Sequence, residues 1–259
     1  MASESMSRKD GVLSKPRHGF VTPVERFLDA PLRGEGHESR WFSYVVYALG
    51  TVVLKVAFRY SVEGMEHLDE IPEGKAAVIA ANHACVLDPV LLVLALRLNV
   101  RFMAKEELFD NAFLAQALAR VGAFPVKRGT ADRRAVRRAV AAVRRGEYLG
   151  IFPEGTRIRR PDQERHNHAG AVMIARAADA PIVPVGIEGT DRIRPLGSRL
   201  LHFPHVHVRF GSPVWPSEYD DVPKHDRSQV MIDDVMRMVY ELRDTGSCTP
   251  RRAPGATSR

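Results

Sequence analysis

From residue 61 to residue 243 the chain alternates short apolar runs with longer amphipathic stretches, and this rhythm limits the fold more than any other feature. Residues 75–81 (KAAVIAA), 100–104, 123–126, 148–152, 182–187 and 206–210 are short apolar runs suited to buried strands. Between them, residues 89–98, 106–121, 132–145, 169–178 and 229–243 read as helices. A strand that is followed by a helix and then another strand pairs most readily in parallel. The pattern therefore predicts an α/β fold: a largely parallel central sheet flanked by helices. In such sheets functional side chains collect in the loops at strand ends.

Three further segments surround this 61–243 domain. Residues 1–38 mix Ser, Gly, Pro and charges with little apolar periodicity and read as a poorly ordered extension. Residues 244–259 read as a disordered tail. Residues 39–60 differ, because Trp41 to Leu54 is an uncharged run of fourteen residues with Trp41, Phe42, Tyr44 and Tyr47 near one end. A spanning helix needs about 20 apolar residues, so the segment is expected to be a membrane-associating helix that lies on or in the interface; an ordinary core helix is the alternative. The first twenty residues lack the apolar core of a signal peptide, which places the expected site of action on the cytoplasmic face of a membrane. Cys85 and Cys248 are too few for a disulfide framework.

The formal charge is +7, and residues 132–145 alone carry six Arg and one Asp. A basic balance points to a polyanionic partner: nucleic acid, anionic lipid or a phosphorylated substrate. Nucleic acid is disfavoured because no recognised module or aromatic-interleaved basic strand is present. In 132–145 the arginines share one helical face and Val136, Ala139, Val140 and Val143 the other, a pattern that fits a surface helix or a face meeting anionic lipid. His205 and His207 share a strand face, but no Cys or carboxylate accompanies them, so no metal is expected.

Four short blocks sit at predicted strand ends. In the first, Asn82-His83-Ala84-Cys85-Val86-Leu87-Asp88-Pro89, Asp88 falls where a helix N-cap would stand and Pro89 suits the first helical position. His83 and Asp88 read either as a loop histidine and a cap, or as a general base and the carboxylate that orients it. In the second, Ala123-Phe124-Pro125-Val126-Lys127-Arg128-Gly129, the strand ends in cations suited to phosphate, or in a plain solvated end. The third, Phe152-Pro153-Glu154-Gly155-Thr156-Arg157, packs a carboxylate, a glycine that allows close backbone approach, a hydroxyl and a guanidinium into four residues. A β-turn with a surface ion pair is its alternative. The fourth, Pro181-Ile182-Val183-Pro184-Val185, suits a bulge, one wall of an apolar site or an edge strand.

In this order and spacing, NHxxxxD, GAFPVKR, FPEGTR and the P-x-V-P strand resemble the four-block signature of the glycerolipid acyltransferase family, which includes 1-acyl-sn-glycerol-3-phosphate acyltransferases. The resemblance covers residues 61 to about 215. It implies an O-acyltransferase with an acyl-CoA or acyl-carrier-protein donor, a lysophospholipid acceptor and membrane lipids as its surroundings, with no cofactor and no metal. His83 would take the acceptor hydroxyl's proton, Asp88 would orient His83, and Lys127, Arg128, Glu154, Gly155, Thr156 and Arg157 would form the acceptor-binding region. The leading expectation is conversion of 1-acyl-sn-glycerol-3-phosphate to phosphatidic acid. Acylation of another lysolipid or polar hydroxyl, or anionic-lipid binding without catalysis on the same fold, are the alternatives. The chain departs from the family pattern at Cys85, where Ser or a small residue is common, and at 165–170 (RHNHAG), where a Lys usually precedes the glycine. Cys85 also offers a covalent route by thiolate attack on the acyl group.

Overall fold

The computed structural model describes residues 40–97, 100–111, 114–115, 118–119, 122–127, 132–158, 160, 163–195 and 200–249, with the backbone alone for 40–46. A seven-stranded sheet forms the centre, in the order β1-β7-β6-β2-β5-β3-β4. The strands are β1 (Ser61–Glu63), β2 (Val78–Ala81), β3 (Val100–Lys105), β4 (Ala123–Val126), β5 (Tyr148–Ile151), β6 (Ile182–Glu188) and β7 (His207–Phe210). Strands β6, β2, β5, β3 and β4 are mutually parallel. β7 joins β6 antiparallel, and β1 runs parallel to β7. The expected α/β architecture with a largely parallel sheet is the one observed. β1, three residues long, gave no apolar run to read.

Side chains leave the sheet on alternate faces and enter two separate cores. On one face Val78, Ala80, Leu149 and Ile182 pack under α3 (Arg133–Arg144), α4 (Gly170–Ala178) and α5 (Arg227–Thr245). On the other, Ile79, Ala81, Val183 and Val185 pack under α2 (Asp88–Ala95) and the end of α1 (Arg40–Phe58). All four residues of β2 are buried, as a central strand covered on both sides requires. α5 crosses β6 closely: a Cβ on Gly186 would stand 2.4 Å from the Arg243 backbone nitrogen.

The strand with two prolines is not an edge. β6 lies between β7 and β2. It escapes the missing N–H because its pairing with the 210–214 segment is interrupted at Pro184: Val185 faces Phe210, whereas Ile182 faces Val214, so three steps on β6 meet four on its partner. The extra residue makes a bulge, and Pro184 sits where no ladder donor is needed. Of the predicted helix at 106–121, Glu106–Phe109 forms a 3-10 turn, and part of the remainder lies outside the described residues. So does the extension 1–38, and so does the tail beyond Thr249.

α1 packs one face on the domain through Leu54 and Phe58, with Gly50 against Leu94 of α2. Its opposite face leaves Leu49, Val52, Val53 and Val56 between 52% and 78% exposed, at helical spacing. Among the described residues no helix is long and apolar enough to cross a membrane.

Candidate active site

Adjacent parallel strands β2 and β5 end side by side, and their C-terminal loops build the site. Asn82 leaves β2 first. Its side-chain amide donates to Ile187 O at 2.9 Å, and its oxygen accepts from Ile187 N at 2.7 Å. A side chain thus continues the β2–β6 pairing one step past the last strand residue and fixes where the next residue, His83, emerges.

Asp88 is fully buried, and its Oδ2 takes three donors: His83 Nδ1 at 2.8 Å, Ala84 N at 2.7 Å and Cys85 N at 2.8 Å. The helix starts at Asp88 itself, after Leu87 at the N-cap. Asp88 therefore does not cap α2 as the sequence suggested. Its carboxylate turns back and closes the 83–88 loop around the imidazole. A carboxylate only accepts, so Nδ1 carries the proton and Nε2 is left with its lone pair. The ring is also stacked on Phe152, with centroids 4.2 Å apart. These contacts bring the predicted base and its orienter together.

From β5, Glu154 reaches the same loop. Its Oε2 accepts from the His83 backbone N–H at 2.8 Å, and its Oε1 accepts from the Tyr240 hydroxyl. Glu154 is 4% exposed, and burial pushes its carboxyl above the usual range although Tyr240 and the His83 N–H pull the other way. Burial and the bond to Glu154 likewise raise the Tyr240 phenol. Gly155 turns the chain with φ of 65° and lies against His168. The Ile158 N–H donates to His83 O at 2.7 Å, so the third block's loop folds over the first.

Beside His83 opens a cleft of about 460 Å³, bounded by Asn82, Ala84 and Ile158 on the side of that loop. Arg160, Arg165, Arg192 and Arg243 lie on its wall. Glu188 stands 3.6 Å from Arg192 and Asp244 2.6 Å from Arg243. Arg165 pairs with no carboxylate among the described residues; its guanidinium carbon lies 4.4 Å from the Tyr240 ring centroid, and that of Arg243 4.9 Å from it.

The other predicted binding residues are more dispersed. Thr156 and Arg157 are exposed on the loop that carries Glu154, outside the cleft lining. Lys127 ends β4, three strands from β2 and so roughly 14 Å across the sheet; its ammonium is 3.7 Å from Glu106. Arg128 lies outside the described residues. His207 bonds Ser61 at 2.7 Å and His205 contacts Arg59, so both histidines are engaged structurally. Asn82, Arg165, Tyr240 and Arg243 were not singled out from sequence. Asn82 is the first letter of the first block and could have been; Tyr240 and Arg243 belong to a distant helix with no local signal.

The sequence profile of the family described as Acyltransferase matches residues 59–188. The 1-acyl-sn-glycerol-3-phosphate acyltransferase of Bacillus subtilis is 29% identical over 175 residues, covering 67% of this chain and 84% of that protein. The protein of the same name from Borreliella burgdorferi is 30% identical over 186 residues, covering 68% and 70%. Among solved structures, the 1-acyl-sn-glycerophosphate (LPA) acyltransferase PlsC from Thermotoga maritima aligns with a TM-score of 0.59 at 26% identity, over 77% of this chain and 79% of that one. The profile runs through both loops that hold His83 and on to the end of β6, and the chain belongs to the acyltransferase family and is an acyltransferase enzyme.

Proposed function

We propose that the enzyme transfers a fatty-acyl group from a thioester, acyl-CoA or acyl-carrier protein, to the free hydroxyl of 1-acyl-sn-glycerol-3-phosphate, giving phosphatidic acid at the cytoplasmic face of a membrane. The observation that carries the chemistry is the His83–Asp88 pair, 2.8 Å apart with Asp88 fully buried. Nε2 of His83 takes the hydroxyl proton as the oxygen attacks the thioester carbonyl carbon. The buried carboxylate stabilises the imidazolium that forms. When the tetrahedral carbon collapses, the C–S bond breaks and the imidazolium returns its proton to the departing thiolate. The thioester supplies the driving force, and the step requires no cofactor and no metal.

A lysophosphatidic acid acceptor is supported by the names of the relatives and by the arginines around the cleft. Arg165 stands on the wall and Arg157 on the exposed loop that carries Glu154, both able to grip a phosphate through a guanidinium fork. The departure at 165–170 favours a second reading, in which another lysolipid or polar hydroxyl is the acceptor. Membrane association is supported by the exposed apolar stripe of α1.

The test is purified protein incubated with acyl-CoA or acyl-carrier protein and a panel of lysolipids, with products read by mass spectrometry. Phosphatidic acid should dominate, and His83→Ala should abolish it. Full turnover in His83→Ala, or no acylation of any acceptor, refutes the mechanism.

A further inference from the structure

We infer that the loop 200–203 inserts into the lipid surface beside the active-site cleft, forming with α1 a two-part apolar platform that turns the cleft mouth toward the bilayer. The inference rests on the lipid-acceptor reading above and adds to it how the enzyme is oriented on its substrate's phase.

The topology puts this loop at the catalytic end of the sheet. β7 runs opposite to β6, so its first residue, His207, pairs with Glu188 at the C-terminal end of β6. β2, parallel to β6, leads to His83 at that same end. β1 pairs Ser61 with His207, so α1, which precedes β1, also finishes there. Val206 N donates to Phe58 O at 3.0 Å, and His202 N donates to Ile193 O at 2.8 Å, which pins the loop at two points. On its other side the segment presses on the cleft: Gly189 is on the cleft wall, and a Cβ there would stand 2.1 Å from His205 O.

The chemistry at the tip suits lipid. Leu200, Leu201 and Phe203 are 74%, 63% and 63% exposed, three large apolar side chains within four residues. The Phe203 ring centroid lies 5.3 Å from that of Phe58, which seats the loop against the C-terminal end of α1, the helix whose outward face exposes Leu49, Val52, Val53 and Val56. Lys55, Arg59, Arg192 and Arg194 are exposed in the segments that flank these apolar tips, against two acids, Asp191 and the Glu188 that faces Arg192. Apolar tips flanked by cations match an interface with an apolar interior and anionic headgroups. A lysolipid in that interface then meets the cleft without leaving the bilayer.

The test compares the wild type with Leu200→Ser/Leu201→Ser, whose side chains are exposed and whose loss should leave the melting temperature unchanged. Binding is measured by co-sedimentation with vesicles of equal parts phosphatidylcholine and phosphatidylglycerol. Activity is measured on vesicle-embedded lysophosphatidic acid and on a short-chain, water-soluble analogue. Vesicle binding and activity on the embedded acceptor should each fall about tenfold or more, while turnover of the soluble acceptor stays at the wild-type level. Deuterium exchange of 200–206 should slow when vesicles are added. Unchanged vesicle binding, or equal loss on both acceptors, overturns the inference. So does slow exchange of the Leu201 and Phe203 amides without vesicles, which would mean that another part of the chain or a second copy covers the loop. Absence of turnover on either acceptor in the wild type would instead refute the acceptor assignment.

Discussion

The backbone N–H of His83 donates to Glu154 Oε2 at 2.8 Å, so the proposed base at one strand end is held by the carboxylate of the next. Through Oε1 the same carboxylate receives the Tyr240 hydroxyl, tying in α5. Glu154→Ala should leave two half-buried donors without a partner, at about 1 kcal/mol each, and lower both melting temperature and kcat. Glu154→Gln keeps the shape and should keep most of the stability. Because burial raises the Glu154 pKa in the folded protein, its contribution to stability is greatest when it is protonated and is lost as pH rises through the folded value. Melting curves across that range should show the wild type losing ground to Glu154→Gln as pH rises; a constant gap would contradict the assignment.

Asp88 uses Oδ2 for all three of its donors, while Oδ1 is buried with no partner among the described residues. Asp88→Asn can therefore keep the three bonds through its amide oxygen and the imidazole tautomer with them. What it removes is the negative charge beside the imidazolium. The expected result is a fall in kcat on the order of 10²–10⁴ with a much smaller change in KM, measured by steady-state kinetics on the phosphorylated acceptor. A change confined to KM would mean that Asp88 acts on binding and not on proton transfer.

Much of this was legible in the sequence, for local reasons. His83, Asp88 and Glu154 lie within seven residues of a strand end, and parallel strands bring such ends together. The role of Asp88 was half legible: spacing placed it beside a helix start, but only the backbone path shows its carboxylate turning to the loop instead of the helix. Pro181 and Pro184 pointed equally to an edge or a bulge, because the bulge lies in the 210–214 segment far along the chain. Tyr240 is 86 residues from Glu154. Such a pairing is decided by how α5 crosses β6, which no local pattern encodes.

Cys85 sits in the same loop, and its backbone N–H, not its thiol, is what Asp88 uses. Direct attack by the acceptor predicts that Cys85→Ser retains activity within a few-fold. Mass spectrometry of the intact enzyme with acyl donor alone should show no covalent acyl adduct. An adduct that disappears in Cys85→Ser would establish the thiolate route instead.

The arginine face of α3 and the apolar stripe of α1 belong to helices on opposite faces of the sheet. A single flat membrane cannot lie against both. With α1 as the docking element, Val52→Ser/Val56→Ser should weaken vesicle binding more than Arg133→Ser/Arg137→Ser does, at equal ionic strength. The reverse order in co-sedimentation would move the membrane surface to α3, the alternative that its charge pattern suggested.

Acceptor choice gives the last prediction. The family resemblance put Arg157, and not Arg165, among the acceptor-binding residues, yet Arg157 is outside the cleft lining and Arg165 is on it, over the Tyr240 ring. A charge-assisted contact is worth about 1.5–3 kcal/mol, so Arg165→Ala should raise KM for lysophosphatidic acid roughly 10–100-fold. Turnover of monoacylglycerol, which has no phosphate, should be unaffected. Arg165→Lys should recover part of the loss, since it keeps the charge but not the planar fork. If Arg157→Ala raises KM and Arg165→Ala does not, the phosphate is held on the loop after Glu154, and the cleft wall serves another part of the substrate.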